Sequence, residues 1–200
     1  MPIKRVPLEN EKLRAIDLLY NRLNQAFVLY FWVRRVQPML AAHSSFSDAD
    51  FEIGTIHNAC VASTLMSIRS LDDFFRLKEQ RKDKKDKAHE SDVHVTDFFG
   101  FQSSGSFLSE TERESIHRWI AHQTYHPIWT GKTGIAPDSN QEWNTADLVE
   151  KAARALFGFM DFLERDFSQK DSDKVEGVRK MKTIFENRLQ KMKAMCISPC

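Results

Sequence analysis

The chain has 200 residues, 42% of them apolar, with only 7 Gly and 6 Pro; this points to one compact helical domain burying roughly 70% of its extended surface without staples. Its 29 Lys and Arg against 28 Asp and Glu exclude a global field that would draw it to nucleic acid or to a membrane, so any polyanion site must be local. The 3 Cys, an odd count without Cys-x-x-Cys spacing, point to a reducing, cytoplasmic setting.

From Leu13 onward, Ile16, Tyr20, Leu23, Phe27 and Phe31 recur at spacings of three and four, which predicts a first helix. Pro38 should end it, because the residue before a proline is pushed out of the α region. The longest apolar run, residues 27–33, is too short to span a bilayer. Neither a signal peptide nor a prenylation box is expected.

A Ser-rich stretch at 43–47 leads to Ile53, Ile56, Cys60, Thr64 or Leu65, Ile68, Leu71 and Phe75, a second helix from near Ser47 to near Leu77. Residues 76–87 then hold seven basic and three acidic residues with Leu77 the only apolar one, which reads as a solvated helix end or loop. Residues 93–107 read as an ordered Phe-rich loop packed on the bundle by Phe98 and Phe99.

Ser109 followed by Glu112 is a capping box and starts a third helix at Glu110, which runs to about Tyr125, before Pro127. Residues 128–141, with Gly131, Gly134 and Pro137, read as a loop. Asn144 with Asp147 opens a fourth helix carrying Leu148, Ala152, Ala155, Phe159, Leu163 and Phe167 on one face. Val178, Met181, Phe185, Leu189 and Met192 mark a fifth. No β-alternation, internal repeat or second core is visible, so the expected architecture is all-α: a single bundle of about five helices over residues 1–200 with an ordered Phe-rich loop.

The third helix is densest in chemistry-bearing residues, holding three of the seven His within residues 113–126. At about 100° per residue, Ile116 and Ile120 share one side with Trp119 at its border, while Glu114, Arg118 and His122 form a stripe on the other. A guanidinium holds phosphate through a fork of donors, and an imidazole exchanges a proton near neutral pH. Arg118 and His122 are therefore candidates for RNA transesterification. Their bland reading is a surface Arg paired with Glu114 and a His bonded to a neighbouring helix.

Arg118-x-x-Ala121-His122-Gln123-Thr124-Tyr125, with the run Arg69-Ser70-Leu71-Asp72-Asp73-Phe74-Phe75 and the run Asp92-Val93-His94-Val95-Thr96-Asp97-Phe98-Phe99, resembles the HEPN helical-bundle superfamily, nearest its abortive-infection branch. The resemblance covers about residues 50–130. It implies an α-helical homodimer formed across the third helix, and metal-independent RNA cleavage in a toxin–antitoxin or phage-defence system, with an antitoxin or other protein as partner. The catalytic motif of that superfamily is an Arg, four to six residues, then a His. With four residues between it and His122 the chain carries His117, while Arg118 is separated from His122 by three residues and Arg113 by eight. The site is therefore expected at Arg118, His122 and His117, with no cofactor; the basic segment at 76–87 separately offers Arg76, Lys78, Arg81 and Lys82 as RNA contacts, with Tyr125 as a further one. Without cleavage, the same helix suits a module that binds RNA, a nucleotide or a protein.

Asp72, Asp73 and Asp97 each stand beside a Phe pair expected in the core. A carboxylate there is costly unless paired, so each is expected to cap a helix or to meet Arg69, Arg76 or Arg118, with orientation of His122 as the functional alternative. His122 and His126 share a metal-ligand spacing, and Glu114 with His117 resembles half of a di-iron motif, but no second copy exists and no metal is expected. Arg179, Lys180, Lys182, Arg188, Lys191 and Lys193 are further candidates for phosphate contacts, against the plainer reading of a solvated face.

Overall fold

The computed structural model describes residues 7–42, 48–76, 93–125, 144–168 and 171–197. Five helices follow in order: α1 Glu9–Ala42, α2 Asp48–Phe75, α3 Glu110–Tyr125, α4 Thr145–Ser168 and α5 Ser172–Ile197. Among the described residues there is no strand, and no helix is long and apolar enough to cross a membrane. α1 packs most extensively on α2, and α4 on α5; α4 also touches α1 and α2, and α3 rests on α2.

One apolar cluster joins all five helices. Leu23, Phe27 and Tyr30 from α1, Leu65, Ile68 and Leu71 from α2, Ile116 from α3, Leu156, Phe159 and Met160 from α4 and Phe185 from α5 are each almost completely withdrawn from water. Most of these are positions that the helical spacing marks; Tyr30, Leu156 and Met160 are not among the marked ones, and Ile56, counted on the inner face of α2, is about half exposed at 51%.

Pro38 does not end α1, which continues to Ala42. The proline removes one backbone donor and crowds the carbonyl of Arg34, a local cost of about 3 kcal/mol. Packing offsets it: Val33 and Val36 are buried just ahead of the proline, and the Arg34 guanidinium holds the Met195 carbonyl at 3.3 Å, fastening this end of α1 to α5.

The loop at 93–107 is ordered, and a different set of rings anchors it. Phe98 is buried, whereas Phe99 is 99% exposed. After the single 3-10 turn Val95–Asp97, successive residues point to opposite sides, so only one of two adjacent phenylalanines can enter the core. Phe159 of α4 sits at the centre of the contact, with ring centroids 4.9 Å from Phe98, 5.2 Å from Phe101 and 5.4 Å from Phe74. Gly100 and Gly105 bracket the returning segment at φ of 91° and 89°, a region that side chains disfavour.

The Ser109–Glu112 capping box forms as expected: Ser109 Oγ accepts from the Glu112 amide at 3.2 Å, and Glu112 Oε2 accepts from the Ser109 amide at 2.8 Å. Lys151 of α4 adds an ion pair to Glu112 at 2.6 Å. Burial pushes the Glu112 carboxyl up, but the Lys151 ammonium and the Ser109 donors together outweigh it and hold the group below its ordinary value of 4.5. A carboxyl depressed on folding stabilises at higher pH and loses that contribution as pH falls through its folded value. Glu112→Gln should therefore cost about 1 kcal/mol at pH 7, the scale of a lost cap. In paired urea titrations at pH 7 and pH 3 the deficit should shrink at the lower pH; a deficit that grew would contradict this linkage.

Candidate functional site

The site builds outward from a buried carboxylate. Asp72 and Asp73 occupy the last turn of α2, where the helix dipole disfavours negative charge, and that turn carries no basic residue of its own. Compensation comes from the next helix. Asp72, with 0% exposure, forms an ion pair with Arg113 of α3, and its Oδ1 accepts from the Phe107 amide at 2.8 Å and the Leu108 amide at 3.0 Å, with Ser106 Oγ at 2.7 Å. Arg113 also donates to Asp73 at 2.9 Å and to Ser106 Oγ at 2.9 Å. The end of α2, the loop leading into α3 and the first turn of α3 thus share one polar lock.

Among the described residues the three aspartates make capping and ion-pair contacts, and the Arg113 partner of Asp72 lies outside the expected set of Arg69, Arg76 and Arg118. Asp97 accepts from the His94 amide at 2.8 Å and caps its own short turn. The partner of Asp72 is Arg113, and Asp73 meets both Arg113 and, at 3.9 Å, Arg69. Burial, with the positive charge of Arg69 nearby, lowers the pKa of Arg113.

One turn outward along α3, His117 is exposed, and its Nδ1 lies 2.7 Å from Arg69 Nη1. A guanidinium can only donate. Nδ1 is therefore the acceptor, and the imidazole carries its proton on Nε2, which meets no hydrogen-bond partner among the described residues. Arg118, the next residue, is 73% exposed and paired to Glu114 at 3.5 Å. An exposed pair one turn apart is worth only about 0.3–0.5 kcal/mol, so an incoming anion can displace Glu114.

Ile116 is buried and Ile120 half-buried, so α3 does turn its apolar side inward and Arg118 outward. His122 and Tyr125 belong to α3 by their backbone, and their side chains, like that of Trp119, lie outside the described residues. Lys78, Arg81 and Lys82 also lie outside them. Arg76 departs from the solvated segment assigned to it: it is only 7% exposed, and its amide donates to the Asp72 carbonyl at 3.0 Å, continuing the last turn of α2. Its position at the end of a buried helix, not the charge run that follows, sets its surroundings.

Three basic residues of α5 pair with acids of α4, and the other contacts are weaker. Arg179 pairs with Glu164 at 2.7 Å, Lys180 with Glu176 at 3.2 Å and Lys193 with Glu150 at 2.9 Å. Lys182 pairs with Asp161, Arg188 bonds Asn24, and Lys191 lies 5.4 Å from the centre of the Phe31 ring. Among the described residues no three His, Cys, Asp or Glu side chains gather as a set of metal ligands.

No family model, curated protein or solved structure matches the chain. The α2–α3 face is therefore read from its own chemistry. It offers a guanidinium, an imidazole N–H and a second guanidinium held only by a weak surface pair, on a base fixed by the Asp72 lock. Sequence reasoning named Arg118 and His117 as site candidates but gave Arg69 only as a partner for the aspartates; the charge pair Arg69–Asp73 at i,i+4, one turn before the buried end of α2, was the available signal.

Proposed function

We propose that the α2–α3 face binds RNA through its phosphates, with Arg69, His117 and Arg118 as the contacting groups, in a helical bundle of the HEPN kind. The observation that carries this reading is the 2.7 Å contact between Arg69 Nη1 and His117 Nδ1, which sets a guanidinium beside an imidazole whose Nε2–H remains a donor. Guanidinium and N–H donors recognise phosphate oxygens without reading sequence. A general base needs a free ring nitrogen lone pair. In His117 the lone pair of Nδ1 is taken up by Arg69, so this imidazole favours holding a phosphate over moving a proton.

The role in defence or in a toxin–antitoxin pair rests on the resemblance and belongs to the same proposal. Incubation with total RNA separates binding from cleavage. Retention without cleavage is the expected result; cleavage by the wild-type protein that His122→Ala abolishes would instead make the protein a ribonuclease, and absence of both would remove the RNA reading.

A second reading, a non-catalytic module that pairs with another copy of the chain, is favoured by the outer side of α1. Arg14, Leu18, Asn21, Gln25, Val28, Trp32, Arg35 and Met39 are all exposed and follow alternating spacings of four and three, the pattern of a helix seam. Leu18, Trp32 and Met39 are each about half exposed, at 52%, 50% and 50%. Trp32→Glu should convert a concentration-dependent dimer to monomer in sedimentation velocity; identical monomers for both proteins would remove this reading.

A further inference from the structure

A second cleft, lined by none of Arg69, His117 and Arg118, opens between the 100–105 loop and the outer side of α4, with a volume of about 480 Å³. That lies within the range of roughly 300–1,000 Å³ typical of small-molecule sites. Its α4 wall is formed by Arg154, Gly158, Phe162 and Arg165, and its loop wall by Phe101 and its Gly/Ser-rich neighbours.

Two features of this cleft, Gly158 and the Arg165 guanidinium, have no structural explanation among the described residues, and its loop wall is held by the fold. Gly158 sits in the middle of a 24-residue helix, where glycine is unfavourable, yet a Cβ placed there meets nothing within 4 Å, so close packing does not require it. The Arg165 guanidinium has no carboxylate or carbonyl partner among the described residues, whereas Arg154 is held by Glu150 at 2.6 Å. The loop wall is fixed in place: Ser103 Oγ donates to the Phe75 carbonyl at 3.3 Å, the Gly105 amide donates to Ser103 Oγ at 3.0 Å, and Ser106 joins the Asp72 lock. A bare stretch of helix backbone, the Arg165 guanidinium and the half-buried Phe162 ring therefore face a loop wall that carries the half-buried Phe101 ring. The Phe101 and Phe162 rings pack on each other at 5.3 Å and 57°, and both line the cleft.

We infer that this cleft binds a small planar aromatic anion, its ring lying over Gly158 against Phe101 and Phe162 and its charged group held by Arg165. Glycine lets the ring approach the α4 backbone, and the guanidinium supplies the charge-assisted bond that orients it. A carboxylate and a phosphate ester share this chemistry, so both are tested.

Phenyl phosphate, benzoate and the neutral control phenol are titrated into the full chain by calorimetry. At least one of the two anions should bind saturably, phenol at least about tenfold more weakly, and Arg165→Gln should lose about tenfold, the size of one charge-assisted bond. Gly158→Leu should abolish binding by filling the floor of the cleft. Gly158→Ala should weaken binding with an unchanged or higher Tm, because its methyl meets no protein atom and stands where the ring would lie. No saturable binding of either anion, or equal binding by the wild-type protein and Arg165→Gln, would overturn the inference. Loss of RNA retention in Arg69 or His117 variants leaves it untouched.

Discussion

Asp72→Ala should destabilise the protein by about 3–5 kcal/mol, the cost of breaking a buried ion pair from one side. The carboxylate is fully buried and faces Arg113, whose side chain is only 12% exposed, together with the amides of Phe107 and Leu108 and the hydroxyl of Ser106. Its removal leaves the Phe107 and Leu108 amides without their acceptor, at about 1–3 kcal/mol for each orphaned group, and leaves the Arg113 guanidinium with only Asp73 and Ser106 Oγ to receive it. Replacing both members, as in Asp72→Ala with Arg113→Leu, should cost less than the two single changes added together. Urea unfolding followed by circular dichroism measures all three; a loss of less than about 1 kcal/mol for Asp72→Ala would mean that the lock contributes little. Hydrogen exchange should show the single variant losing protection first at the 100–108 loop, since no other carboxylate holds the Phe107 and Leu108 amides.

The second large effect concerns RNA. If the α2–α3 face holds phosphates, Arg69→Ala with His117→Ala should weaken single-stranded RNA binding by about tenfold to a hundredfold, one to two charge-assisted bonds' worth. Stability should hardly change. Both side chains are partly or largely exposed, and the Arg69–Asp73 pair at 3.9 Å is a surface contact, whereas Arg113 keeps Asp73 satisfied at 2.9 Å. A variant that loses RNA and keeps its Tm separates the face from the lock beneath it.

The fold was largely legible because it rests on periodicity and caps, which are local. Leu148, Ala152, Phe159, Leu163 and Phe167 are buried as their spacing requires, and the Ser109–Glu112 box opens α3 at the residue it marks. Where local rules failed, contacts distant in sequence decided. Pro38 stays inside α1 because Val33 and Val36 are buried and Arg34 reaches Met195 on α5, and Phe98 rather than Phe99 enters the core because Phe159 is placed to receive it. Arg76 heads a run of charge and is nonetheless buried by the helix that it ends.

The candidate site was legible only in part, for the same reason. Helical geometry turns Arg118 outward from Ile116, and that much could be read from spacing. The pairing of Arg69 with His117 spans 48 residues, and that of Arg113 with Asp72 joins two helices through a loop; no local pattern announces either. The basic side of α5, open in sequence to phosphate contacts or to a plain solvated face, has three of its cations paired to Glu150, Asp161 and Glu164 of α4. A run of Lys and Arg records charge but not whether acids on the neighbouring helix already hold it.

The most direct test is the salt dependence of single-stranded RNA binding, by filter retention between low and physiological salt, for the wild-type protein and the Arg69→Ala/His117→Ala/Arg118→Ala variant. Each cation lost from a phosphate contact should flatten the slope of log K against log salt by about 0.7, so removing two guanidiniums should reduce it by about 1.4. An unchanged slope and affinity in the variant, or no retention of RNA by the wild-type protein at low salt, would contradict the account.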